Sequence, residues 1–131
     1  MTTTVDGKDI LIIDDDLDIR IAIGEALETL GEVTIRGAGN GNEAIKMVET
    51  QCPDLIILDQ MLPGRSGFLV LEKIKPLQGD KKVPVIMITA NPGARHKVYA
   101  ESLGVETYLN KPFRMDRLTE AVETLLSPDD E

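Results

Sequence analysis

Only one cysteine, Cys52, occurs in the 131 residues. Neither a disulfide framework nor a cysteine-based zinc site can be built from it, and a reducing cytoplasm is the expected compartment. Tryptophan is absent and aromatics make up 3% of the chain, so the core must be aliphatic, as in a parallel sheet covered on both faces. Histidine occurs once, at His96. It reads as a solvated side chain on a helix and cannot supply the phosphodonor machinery of a kinase. No apolar run approaches the roughly 20 residues needed to cross a bilayer. The opening MTTTVDGKD lacks the basic-then-apolar profile of a signal peptide, so no membrane partner is expected. Basic residues are the last shortage: 14 against 23 acidic ones, for a net charge of −9. Such a field repels phosphate backbones, and direct nucleic-acid binding is not expected.

What is present fits one globular domain, with 42% hydrophobic and 28% charged residues. Short apolar runs recur at Ile10 to Ile13, Val33 to Ile35, Leu55 to Leu58, Val83 to Ile88 and, more weakly, Thr107 to Leu109. Each is bounded by turn residues and reads as a strand buried on both faces.

Between them lie helical patterns. Ile19, Ala22, Ile23, Ala26, Leu27 and Leu30 form one stripe that stops at Gly31, with Asp16 or Asp18 as its cap. Further helices are expected over Glu43 to Thr50 after the Asn40-Gly41 turn, and over Ser66 to Ile74, ended with help from Pro76. A fourth covers Gly93 to Leu103 and stops at Gly104, and the last carries Met115, Leu118, Val122 and Leu125. In the fourth, Val98 and Leu103 are the candidate apolar anchors. Alternating strands and helices imply a parallel sheet with right-handed crossovers and helices on both faces. Residues 1–7 read as a flexible segment, 8–126 as the domain and 127–131 as an acidic tail.

Open sheets of this kind bind ligands beyond the carboxyl ends of their strands. At that edge the sequence places Asp14-Asp15-Asp16, Asp59, Thr89-Ala90 and Asn110-Lys111-Pro112. Two carboxylates about 5 Å apart repel by roughly 3 kcal/mol at an effective dielectric near 20. A cluster of them therefore calls for a cation, and an all-oxygen set that leaves room for a phosphoryl group suits Mg²⁺. A metal-neutralised aspartate can act as a nucleophile and become an acyl phosphate. Lys111 offers a point charge and Thr89 a hydroxyl donor for the arriving oxygens.

The segments ILIIDDD, PDLIILDQMLPGRSG, VPVIMITA and YLNKPF, in that order, resemble the receiver domain of two-component response regulators. The resemblance covers about residues 8 to 126 and implies a flavodoxin-like α/β fold with strand order 2-1-3-4-5. It implies that Asp14 and Asp15 hold Mg²⁺ together with Asp59 and the backbone carbonyl of Met61. It also implies that Asp59 is the phosphoacceptor, Lys111 its ammonium partner, and Thr89 and Tyr108 the switch pair, although Tyr108 also reads as half-buried packing. The Lys111-Pro112 bond is often cis in the family, and Met61 and Asn91 occupy positions that tune loss of the phosphoryl group.

The partners implied are a sensor histidine kinase or histidine phosphotransfer protein as donor. A downstream protein target would be reached through the fourth helix, fifth strand and fifth helix. The chain is expected to be a signalling phosphoacceptor rather than an enzyme, to promote its own phosphoryl transfer and hydrolysis, and to carry no output domain. Ala121 stands where winged-helix regulators typically carry an arginine for dimer formation, and Glu106-Thr107 replaces their acidic pair, which lowers the expectation of that dimer. Two rivals remain. A phosphatase of the haloacid-dehalogenase type would use Asp14 as nucleophile and leave Asp59 without a task. A flavin module would need a phosphate loop where three acids stand.

Overall fold

The computed structural model describes residues 5–90 and 93–126. The alternating pattern folds as expected, into a five-stranded parallel sheet. Its strands are β1 (Asp9–Ile13), β2 (Thr34–Ala38), β3 (Leu55–Asp59), β4 (Val85–Thr89) and β5 (Val105–Asn110). The spatial order is β2-β1-β3-β4-β5. The helices are α1 (Leu17–Glu28), α2 (Gly41–Thr50), α3 (Gly67–Ile74), α4 (Ala94–Ser102) and α5 (Met115–Leu126). None is long and apolar enough to cross a membrane.

Strand periodicity divides the core into two layers. Leu11, Ile13, Ile56, Leu58, Val85 and Met87 face α2, α3 and α4. The alternate residues, among them Ile10, Ile12, Ile57 and Ile86, face α1 and α5 through Ile23, Leu27, Leu118 and Val122. Because β1, β3 and β4 are buried throughout, their sequences are continuous apolar runs with no alternation to read.

Several boundaries differ from those expected. α1 stops before Gly31 because the Thr29 hydroxyl and backbone N–H both turn back onto the Ala26 carbonyl. Ser66 caps α3, accepting from the Leu69 N–H, rather than belonging to it. Pro76 sits in the first turn of a 3₁₀ segment, Lys75–Gln78, where its missing N–H costs nothing. A small hairpin of Met61–Leu62 and Arg65–Ser66, turned by Gly64 at φ 74°, was not legible in the sequence. Val98 does not anchor α4: it is 65% exposed, and Ala100 is the residue buried there. The flexible start does not extend to residues 5–7, since Val5 is 1% exposed in the α1–α5 layer and Asp6 accepts from the Glu32 N–H. Residues 1–4 and the acidic tail at 127–131 lie outside the described residues.

In β5 the pairing runs Val85 with Val105 but Ile86 with Thr107, so Glu106 is an extra residue in the ladder. Past this bulge the side-chain alternation is offset by one. Val105 and Tyr108 therefore both pack on the α2–α3–α4 side.

The opposite edge of the sheet from the acidic residues is closed by a buried ion pair. Asp9 accepts from Arg36 Nε at 2.9 Å and from Gln51 Nε2 at 2.8 Å. Arg36 also donates to the carbonyls of Met47 and Gln51, tying β2 to the end of α2. Arg36→Met would strand a buried carboxylate, with an expected loss of about 3 kcal/mol, measured from urea-unfolding midpoints at unchanged m-value.

Candidate functional site

Parallel register gathers the site. Ile13 pairs with Leu58, Asp59 with Ile88, and Thr89 with Asn110. The residues that follow each strand therefore emerge side by side. Carboxylate oxygens of Asp14, Asp15 and Asp59 all lie within 4.8 Å of one another. Asp14 and Asp59 are each 3% exposed, while Asp15 faces solvent.

Each group is held in place by backbone donors. The Asp14 N–H donates to the Ala38 carbonyl, and its Oδ1 accepts from the Asp16 N–H at 2.9 Å. Asp16 turns away from the cluster and caps α1, accepting from the N–H groups of Asp18 and Ile19. Asp59 Oδ1 accepts from the Met61 N–H at 3.0 Å, and Oδ2 from Lys111 Nζ at 3.1 Å. Lys111 is fixed in turn by its own N–H, which donates to the Thr89 carbonyl, and the Lys111–Pro112 peptide is cis. Met61 sits directly beyond the acidic edge, with an exposed side chain. Asn91 lies outside the described residues.

Gly67 keeps this edge narrow. A Cβ there would come within 2.6 Å of the Asp59 carbonyl oxygen and 2.8 Å of Gln60 Cα, backbone atoms that have no room to yield. Only glycine lets the start of α3 dock so close behind Asp59.

Burial pushes the Asp14 carboxyl up from its ordinary 3.8 to about 6, and the neighbouring charges of Asp59 and Asp15 push in the same direction. The Asp16 N–H and the Lys111 ammonium pull it partly back. A buried carboxylate that resists ionisation, beside two more carboxylates, makes an oxygen-ligand pocket chemically matched to a hard divalent cation. Among the described residues, Asp14, Asp15 and Asp59 form the cluster able to hold one.

On the other side of Asp59 runs a polar chain that the sequence showed only in part. Thr89 is fully buried, and Tyr108 is half-buried. The Tyr108 hydroxyl donates to Gln60 Oε1 at 3.1 Å. Its pKa is raised by burial, which outweighs the opposing effect of a hydrogen bond with the Thr89 side chain. Thr89 and Tyr108 are thus in direct contact, and Gln60 joins them to the strand that carries Asp59. Gln60 was missed because a glutamine after an apolar run looks like surface; its burial follows from the Gln60 N–H bonding the Ile88 carbonyl. The close docking at Gly67 was missed because close approach leaves no mark in a single sequence.

His96 is not solvated as expected. Its ring centroid lies 5.9 Å from that of Phe68, and Nδ1 is shut away from solvent with no hydrogen-bond partner. Phe68 also meets Tyr99 edge-on, and the Tyr99 hydroxyl bonds Glu72, so aromatic contacts fasten α4 to α3.

The profile of one protein family, described as the response regulator receiver domain, matches residues 10–123. The chain is 36% identical over 120 residues to the phosphate regulon transcriptional regulatory protein PhoB of Pseudomonas aeruginosa, covering 92% of this chain and 52% of that protein. It therefore spans about half the length of that relative. It is 35% identical to sporulation initiation phosphotransferase F of Bacillus subtilis over 92% of this chain and 94% of the other. A CheY-like receiver domain protein from Methanospirillum hungatei superposes with a TM-score of 0.82 at 28% identity, covering 91% of this chain and 93% of that one.

The raised Asp14 pKa has a definite sign in stability. The folded chain holds this proton more tightly than the unfolded chain, so stability falls as pH rises from about 4 to about 6, and above that the full cost is present. Asp14→Asn keeps an acceptor for the Asp16 N–H and removes that cost. In EDTA at pH 7.5 it is expected to unfold at higher temperature, by up to about 3 kcal/mol of added stability. The gain should fade as the pH is lowered towards 4 in a thermal-melt series.

Proposed function

The chain belongs to the response regulator receiver domain family of two-component signal transduction, and we propose that its phosphoacceptor is Asp59. In this reading a sensor histidine kinase or histidine phosphotransfer protein donates the phosphoryl group. One Asp59 carboxylate oxygen attacks phosphorus in line. The O–P bond forms as the P–N bond to the donor imidazole breaks, and the imidazole leaves with a proton. The observation that carries the reading is the placement of Asp59: 3.1 Å from the Lys111 ammonium on one side and within 4.8 Å of the Asp14 and Asp15 oxygens on the other.

Asp14, Asp15 and Asp59, with the Met61 carbonyl, would hold Mg²⁺, which when bound would neutralise charge on the acidic cluster and the phosphoryl oxygens. The protein's own part is positional. The Met61 N–H and Lys111 hold the acceptor carboxylate in one orientation, and Lys111 is placed to follow the charge onto the phosphoryl oxygens. No external substrate is turned over, so the chain is a signalling phosphoacceptor rather than an enzyme. Its net charge of −9 favours protein partners over nucleic acid or anionic lipid.

The switch follows from exchange of one hydrogen bond. An aspartyl phosphate brings about −1.5 to −2 of charge and new acceptors. The Thr89 hydroxyl is bonded to Tyr108 in this conformation. Turning to the phosphoryl group would release Tyr108, which is tied to Gln60 and packed on the α4 side of the sheet. The surface of α4, β5 and α5 would change with it, and the downstream target would read that surface. Val98 and Tyr99 stand exposed on α4, and a groove of about 330 Å³ lies along Tyr108, Phe113, Arg114 and Arg117.

The phosphatase alternative puts the nucleophile at Asp14. Among the described residues the Lys111 ammonium hydrogen-bonds Asp59 and none bonds the Asp14 carboxylate, which favours Asp59.

Acetyl phosphate with Mg²⁺ is expected to add the mass of one phosphoryl group to the natural chain and none to Asp59→Asn, read by intact-mass spectrometry. A phosphorylated Asp59→Asn would hand the role to another carboxylate. Lys111→Met should slow labelling by about 100-fold. For the switch, beryllium fluoride should move amide NMR signals of 89 and 105–108 in the natural chain, and Thr89→Ala should abolish most of the movement at Tyr108 while leaving that at Asp59.

A further inference from the structure

The carbonyl oxygen of Asp14 accepts a hydrogen bond of 2.6 Å from Arg20 Nη1. Arg20 begins on the first turn of α1, where its own N–H bonds the Asp16 carbonyl, and its side chain runs back across β2 towards the strand end. Two glycines clear the route. A Cβ on Gly37 would stand 3.1 Å from Arg20 Nε and 3.2 Å from Cδ, and a Cβ on Gly39 would stand 3.1 Å from Nη1. The Gly39 N–H is in turn tied to Glu43 Oε1 at the start of α2. The guanidinium thus lies in a slot with a floor, and its one bonded end is the backbone of the buried acid in the cation pocket.

We propose that Arg20 is a positioning residue for the divalent-cation site, clamping the 14–16 turn through the Asp14 carbonyl so that the Asp14 carboxylate is aimed before the ion arrives. With this bond, Asp14 is fixed at three points: its N–H on Ala38, its Oδ1 on the Asp16 N–H, and its carbonyl on Arg20. The first two leave the peptide plane after residue 14 free to tip, because the Asp16 N–H that holds Oδ1 belongs to the same turn. Arg20 is the tie on the carbonyl side of residue 14, with its side chain laid against Gly37 and Gly39. Groups one step removed from metal ligands typically change affinity 10- to 100-fold when deleted, because the ligand must then be ordered by the ion itself.

Charge and position make opposite forecasts, which makes the idea testable. If Arg20 acted only as a nearby positive charge, deleting it would tighten cation binding, since one repulsion disappears. If it acts by clamping, deletion weakens binding. The inference rests on the Mg²⁺ site proposed above, so the experiment has one arm with metal and one without. Arg20→Met keeps the apolar stem over the glycines and removes the donor. There is no tryptophan to report binding, so MgCl₂ is titrated into ¹⁵N-labelled protein. The Mg²⁺ Kd is expected to rise about 10-fold; an unchanged or lower Kd overturns the clamp. In EDTA, hydrogen exchange of the Asp16 N–H should quicken by about 10-fold in Arg20→Met; unchanged protection overturns it as well.

Should Arg20→Met fail to fold, Gly37→Ala presses on the same side chain while keeping the arginine. Because the arginine is displaced and not deleted, it should raise the Kd by about 3-fold, less than the 10-fold or more of outright loss, and no change would overturn the clamp. A natural chain that binds no Mg²⁺ would sink the metal reading itself, while the exchange arm would still decide whether Arg20 orders the turn.

Discussion

Carboxylates crowd the ends of β1 and β3 with oxygens no more than 4.8 Å apart, and two of the three are almost wholly removed from water. Left alone they repel one another, and burial together with that repulsion raises the pKa of Asp14. A chain keeps such a cluster together only if something stiff holds it. Here the stiffness comes from three parallel strands of unbroken aliphatic residues, bonded in register and covered on both faces. The buried sheet holds the carboxylates together against this repulsion, which a cation bound at its edge would relieve. Lys111 offsets part of it from β5, across the width of β4.

The same logic explains which parts of the structure could be read from the sequence. Continuous runs such as Leu55 to Leu58 can only be strands buried on both sides in a chain this short, so sheet, helices and strand-end acids followed directly. The acids, Thr89 and Lys111 were visible because polar residues at the end of an apolar run break the pattern. Close-packed contacts were not visible. Gly67 behind Asp59, the slot that Gly37 and Gly39 leave for Arg20, and the burial of Gln60 depend on where another element arrives. Helix α4 misled for a related reason: Val98 is the most apolar residue of its middle, yet its anchorage comes from Ala100 and from His96 and Tyr99 against Phe68. Amphipathic patterning cannot register a helix held by aromatic edges.

Two ends of the sheet do different work with the same residue types. At the end away from the site, both oxygens of the Asp9 carboxylate are bonded, one by Arg36 and one by Gln51, so that carboxylate serves stability. At the other, Asp14 and Asp59 face one another with a single nearby ammonium. Buried charge is neutralised by geometry in the first case and left open in the second. The contrast separates structural from chemical aspartates without appeal to sequence position.

The extra residue at 106 has an implication for comparison between chains. Val105 and Tyr108, three positions apart, lie on one side of the sheet only because Glu106 interrupts the ladder. Were Glu106 paired with Ile86 instead of bulged out, the ring would stand opposite Ile88 and emerge on the side of α1 and α5, away from Thr89. Matching an aromatic to Tyr108 column by column therefore says nothing about which layer it occupies. The parity of the short segment leading into it decides whether that ring can sense the acidic edge at all.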